Sequence, residues 1–307
     1  MIQNLRNLFI FFTFIVFLTS VAKADKFPDG YPECWQDPDN PVRLKPTEAE
    51  QFCPMNTKVG HTFFLVDFTS PLKKAQVDWI KGRIFGNSLI KTIPPYHKIS
   101  YMKIDETKVQ SQKIYFTKCR FKTGNKSKFP GEETNEGCEG HKKITDAHAA
   151  FVALSSKFEK EFMANYEEES DKSLIFEYLF HILREPVSDF TSEYPVRELV
   201  IVSDLMQHGK RFSFYSHCKT NLELSKPNKC KSFEKLLKTT KVKDYIDTRK
   251  PNKDMLKNLK VTILYINHDY ETRPGLSKSL LALWKDLFAY IGIENYEIIK
   301  QVAIPKT

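Results

Sequence analysis

The chain has 307 residues, is 41% hydrophobic and 28% charged, and carries a formal net charge of +9. It shows no internal repeat and no low-complexity tract, which excludes solenoid and disordered classes. Beyond its first two dozen residues nothing is apolar enough to cross a bilayer, which takes about 20 residues.

Arg6 gives a weakly positive start, residues 8–18 are apolar, and Ala22-Lys23-Ala24 places small residues where a signal peptidase reads. These features predict a signal peptide over residues 1–24, cleaved after Ala24, with an uncleaved anchor as the alternative. The mature chain is then exported, periplasmic or secreted, and about 283 of the 307 residues remain for one large α/β domain or two small ones. Residues 25–56 are rich in Pro, Asp and Glu without apolar periodicity and read as an irregular N-terminal arm.

Six cysteines suit an oxidising compartment. No Cys-x-x-Cys occurs, and the histidines lack zinc-ligand spacing. The cysteines fall into sequence-local couples around polar loops, so the expected bridges are Cys34–Cys53, Cys119–Cys138 and Cys218–Cys230. Each closes a loop worth about 3 kcal/mol.

The domain is expected over 57–307. Its first strand is the apolar run His61–Asp67, of the kind buried on both sides of a parallel sheet. Ser70-Pro71 then suits a helix N-cap with proline at the first helical position, and the helix runs past Trp79 and Ile80 towards Gly86. Lys98–Ile104 and residues 113–121 alternate as strands. Ile144, Ala147, Phe151, Leu154, Phe158 and Phe162 recur at helical spacing. A second helix covers 173–184, ended by Pro186. Residues 199–204 form another buried strand ending on an aspartate, and residues 260–266 a third. Ser277 is placed to cap a last helix, with a strand over 296–302 to follow. Strand–helix alternation with continuous apolar strands predicts an α/β fold with a doubly wound, mostly parallel sheet covered by helices on both faces.

Between the last two buried strands lies an insertion at about 206–258. From Met206 to Lys260 there are 15 Lys and Arg against 5 Asp and Glu. This segment is read either as a solvated face or as a patch, including Lys210 and Arg211, that attracts an anionic partner. Phe212, Phe214 and Tyr215 could stack on bases, but export argues against nucleic acid.

In an open α/β sheet, ligands bind beyond the carboxyl ends of the strands. Two strands end there on aspartates, in FLVDFTSPL (residues 64–72) and LVIVSDLMQ (residues 199–207). Over about 57–303 this pattern resembles a von Willebrand factor type A domain. The resemblance implies a metal-ion-dependent adhesion site built on an Asp-x-Ser-x-Ser motif, a second-loop hydroxyl and a late aspartate. Carried over, Asp67 and Thr69 match the first and third motif positions, Asp204 the late aspartate, and Ser173 is the candidate hydroxyl. Pro71 stands where the second motif serine belongs, with Ser70 one place off, and Leu205 stands where glycine often follows the late aspartate. The implied cofactor is Mg²⁺ or Mn²⁺, held weakly, or none if the scaffold is metal-free.

The function expected is an exported binding or scaffolding module of the bacterial envelope, not an enzyme, engaging a protein or anionic partner at the carboxyl edge. The alternative is a metal-dependent hydrolase or phosphatase with Asp67 as nucleophile. A haloacid-dehalogenase-like phosphatase needs an acid two residues on, where this chain has Thr69, and its phosphate ligands would be Lys210 or Lys260. No Gly-x-Ser-x-Gly, His-Glu-x-x-His, Walker or dinucleotide motif is present. His208, His217 and His268 are read as solvated loop residues.

Overall fold

A computed structural model describes residues 52–53, 58–104, 109, 113–134, 140–164, 166, 170–184, 188–210, 213–219, 229–266 and 276–301. The expected signal peptide, most of the arm, Cys34, Cys138, Pro186, Arg211, Phe212 and His268 lie outside these residues. The strands are β1 (His61–Asp67), β2 (Lys98–Ile104), β3 (Phe116–Cys119), β4 (Arg197–Ser203), β5 (Cys218–Lys219), β6 (Lys229–Cys230), β7 (Leu259–Tyr265) and β8 (Tyr296–Lys300). Six of them form one sheet in the order β3-β2-β1-β4-β7-β8. All pairings in it are parallel except β2 with β3. The helices are α1 (Lys74–Ile84), α2 (Asn87–Thr92), α3 (His141–Phe162), α4 (Ile175–Arg184), α5 (Phe214–His217), α6 (Phe233–Leu237), α7 (Thr240–Asp247), α8 (Lys253–Leu256) and α9 (Leu276–Ile291).

All seven residues of β1 are buried. Successive side chains of a strand point to opposite faces, and here they enter two separate cores. Phe63 and Leu65 join Leu199, Ile201, Val261 and Ile263, together with residues of α4, α6, α7 and α9. Phe64 and Val66 join Ile99, Tyr101, Val200 and Val202, together with residues of α1, α2 and α3. Among the described residues no helix is long and apolar enough to cross a membrane.

Several expectations need correction. Helix α1 starts at Lys74, not at Pro71. The stretch before it is held in another conformation, with Leu72 N donating to Tyr166 O at 3.0 Å and Ser170 N to Thr69 O at 3.0 Å. The strand expected over 113–121 forms only over Phe116–Cys119 and is antiparallel. On α3, Ile144, Phe151, Phe158 and Phe162 are buried as expected, but Leu154 is 38% exposed and Ser155 takes its place. The stripe therefore follows 144, 147, 151, 155, 158 and 162. Ser277 lies inside the first turn of α9, where its hydroxyl meets Tyr265 Oη at 3.1 Å.

Two described bridges exist. Cys218–Cys230 forms as expected, directly across the β5–β6 pair. Cys53, however, bonds Cys119 across 66 residues of sequence, so neither Cys34–Cys53 nor Cys119–Cys138 is made. Packing explains the choice. Phe52 is buried against Phe121, with ring centroids 5.1 Å apart, and against Phe151, at 6.2 Å. Those contacts set Cys53 beside the end of β3.

At the amino end of β1, the same end of the sheet, the His61 ring meets Ser100 Oγ at 2.9 Å and the carbonyl of Asp189 at 3.2 Å. Burial, helped by the Lys98 charge, pushes His61 down to about 3.

Closing a loop of 66 residues restricts the unfolded chain by about 4 kcal/mol. The paired substitution Cys53→Ser with Cys119→Ser is expected to lose about that much in urea unfolding. A loss below about 1 kcal/mol would show that Phe52 packing alone holds the arm.

Candidate functional site

Strands β1 and β4 are parallel neighbours with Val66 opposite Val202. That register brings Asp67 level with Ser203 at the carboxyl edge, with Asp204 one residue beyond. Asp67 Oδ1 accepts from Thr69 N at 3.0 Å and from Thr69 Oγ1 at 2.5 Å. Asp67 Oδ2 accepts from Ser173 Oγ at 3.0 Å and from Ser203 Oγ at 2.8 Å. One carboxylate thus gathers three hydroxyls from three separate segments. Its bond to Thr69 N is a local Asx turn, which competes with helix formation. This turn accounts for the late start of α1.

The Asp204 loop is built from the same kind of turn. Met206 N donates to Asp204 Oδ1 at 2.9 Å, and Leu205 N to Ser203 Oγ at 2.8 Å. Leu205 has φ of 64°, the left-handed conformation that favours glycine. The backbone demand therefore persists although leucine occupies the position. Burial of the Leu205 side chain and a bond from Trp284 Nε1 to its carbonyl, at 3.0 Å, hold it there.

Ser173 is positioned by the base of the basic insertion. Its N–H donates to His208 O at 2.9 Å and its carbonyl accepts from His208 N at 2.7 Å. Gln207 adds a second tie: its Oε1 accepts from Phe176 N at 2.9 Å and its Nε2 donates to Glu177 at 2.9 Å.

The four expected site residues, Asp67, Thr69, Ser173 and Asp204, are thus brought together. Ser203, Gln207 and His208 were missed as site residues. Ser203 carried a weak signal, a hydroxyl at the end of a buried strand; His208 was placed in a loop at the site edge but read as solvated, and Gln207 carried none. Ser70 is half-buried and Pro71 exposed, and Lys210 is exposed beyond the bridge. Lys260 is the second residue of β7, at the opposite end of the sheet, and pairs with Glu198 and Glu297, so it cannot serve a phosphate at Asp67. The insertion is not simply a solvated face, since Phe214, Phe233, Leu236 and Ile246 enter the core. Phe214 packs edge-on to Trp284 and is not available to stack on a base. His217 is buried and meets Lys231 O at 3.0 Å, and His208 meets Ser213 Oγ at 2.7 Å, so neither is a freely solvated loop residue.

All five cluster residues are buried, the most exposed being Ser173 at 7%. Burial, then the neighbouring Asp67 carboxylate, push Asp204 up to about 7. The donor set is entirely oxygen, two carboxylates and three hydroxyls, which suits a hard divalent cation. Among the described residues no cluster of three or more His, Cys, Asp or Glu is placed to hold a metal, so hydroxyls would have to complete the coordination.

No family model matches the sequence, and no curated protein matches it. Among solved structures, the human COPII-coat protein Sec24c is similar over 82% of this chain and 31% of that one, at 9% identity and a TM-score of 0.34. This chain therefore spans less than a third of that protein. A likeness so distant decides neither family nor function.

The raised Asp204 acid binds an extra proton in the fold between about pH 4 and pH 7, so its ionisation lowers stability as pH rises. Buried neutral His61 acts oppositely, its contribution being complete above about 6.5 and lost as pH falls towards 3. The two slopes offset each other in the native protein. Asp204→Asn is expected to be more stable than wild type by about 2 kcal/mol at pH 8 and nearly equal to it at pH 4, read by urea unfolding. The same difference at both pH values would reject the buried-acid account.

At Leu205 the strained backbone reverses the usual order of small residues. Leu205→Ala loses about 3 kcal/mol of packing, and Leu205→Gly is expected to be no worse and up to about 1 kcal/mol better. If glycine is the less stable variant, the left-handed conformation is not what limits this position.

Proposed function

We propose that this chain is an exported binding module of von Willebrand factor A type. In this reading its sheet is doubly wound, and the carboxyl edge presents Asp67, Thr69, Ser173, Ser203 and Asp204 to a divalent cation, Mg²⁺ or Mn²⁺. A protein or anionic partner engages that edge, flanked by the basic insertion. The observation that carries the proposal is the convergence of three hydroxyls on Asp67 beside a second buried carboxylate. Two adjacent acids in a buried site are costly without a proton or a cation between them. A cation would relieve that cost while the hydroxyl oxygens turn their lone pairs inwards. Ser203 supplies a hydroxyl of the kind that Pro71 lacks.

The expected leader and the described disulfides support an envelope or extracellular setting. A phosphatase reading gains nothing from the geometry, because both Asp67 oxygens already accept hydrogen bonds and Thr69 occupies the general-acid position as a donor to Asp67.

Calorimetric titration of Mg²⁺ and Mn²⁺ into the oxidised mature chain tests the proposal beside Asp67→Ala. Saturable binding in the native protein, lost in the variant, is the expected result. Absence of heat up to millimolar metal would reduce the cluster to a hydrogen-bonded cap on two strand ends.

A further inference from the structure

The sheet ends at β8, whose far side pairs with no described strand. Val261 N donates to Asn295 O and Gln301 N to Tyr265 O, and ladder bonds between parallel strands recur at every second residue. The backbone groups of Glu297 and Ile299 therefore face β7, while those of Tyr296, Ile298 and Lys300 face outwards. Beside this open edge, β8 and α9 border a groove of about 520 Å³. Leu281, Tyr296 and Ile298 give it an apolar floor, and Lys278, Lys285 and Lys300 line it with positive charge.

These three lysines are exposed, and among the described residues no carboxylate lies within ion-pair distance of them. Glu297, the acid that lines the groove, is bonded instead to Lys260 at 2.7 Å and to Thr262 at 3.2 Å. Lys278 and Lys285 stand two helical turns apart, about 10 Å along α9, between the same-face spacings of about 7 and about 13 Å on a strand, a difference that flexible lysine stems span.

We infer that this edge receives an extended acidic segment of a partner protein, which adds to the sheet as a strand beside β8. Main-chain bonds to Tyr296, Ile298 and Lys300 give the affinity, and carboxylates at alternate positions meet the lysines. The apolar residues between them point to the opposite face of the sheet, beside Ile299. A second copy of this chain is a poorer occupant, because it would bring the same lysines face to face. The inference does not depend on a cation at Asp67.

The test uses the oxidised mature chain and a fluorescein-labelled peptide of alternating Glu and Val. A peptide of equal composition, with its glutamates in one block, is the comparison. Fluorescence polarisation is expected to show saturable binding of the alternating peptide and at least about tenfold weaker binding of the blocked one. Lys278→Glu with Lys285→Glu is expected to weaken binding by at least about tenfold, whereas the paired arginine substitutions retain it. Ile298→Pro, which removes an outward N–H from an edge strand, is expected to weaken binding more than Ile298→Ala, which loses the same packing but keeps that N–H. Equal binding of the two peptides would leave charge without strand addition and overturn the inference. So would displacement by millimolar inorganic phosphate, a dimer broken by the glutamate substitutions, or no saturable binding at all.

Discussion

The carboxylate of Asp67 is the junction on which the carboxyl edge depends. It draws Thr69 from its own strand end, Ser203 from the adjacent strand and Ser173 from the segment before α4. Each of those residues then positions something else. Thr69 sets the turn that delays α1, Ser203 accepts the N–H of Leu205, and Ser173 forms the bridge to His208. Removing one carboxylate would release three segments together, because buried hydroxyls without an acceptor carry their full desolvation cost.

The same edge carries a conflict that the fold tolerates without removing. Asp204 is buried within reach of Asp67, and Leu205 adopts a backbone conformation that leucine avoids. Strain and unfavourable charge persist only where surrounding structure over-determines them. Here the restraint comes from the core that Leu205 shares with α9, where buried Trp284 donates to the Leu205 carbonyl. Local instability concentrated at one edge, supported by two cores elsewhere, is the pattern expected of a site rather than of a scaffold region.

The strands were readable because burial on both sides leaves a continuous apolar run, as in β1, β4 and β7. Asp67 and Asp204 stood out because a charged residue closing such a run has few packing explanations. Ser173 was found through a local cue, a hydroxyl just ahead of a helix. Ser203, Gln207 and His208 were not, because their roles follow from strand register and from bridges between distant segments. Two of the three expected cysteine pairings failed for a related reason. Cys53 pairs with Cys119 because Phe52 packs on Phe121 and Phe151, and that contact leaves no trace in local spacing. The start of α1 was misplaced because Ser70-Pro71 is a good local helix signal, overridden by the Asx turn at Asp67.

The Cys53–Cys119 bridge has a consequence for how this sheet meets other chains. A sheet open along both sides can relay strand pairing from molecule to molecule without limit, the geometry that underlies fibre growth. Here β3 ends in a cystine that ties a separate stretch of chain to one margin, while β8 forms the other margin. The two margins are therefore not equivalent. Strand addition along β8 therefore need not be matched by addition along β3, whose end is covalently tied to a distant stretch of chain.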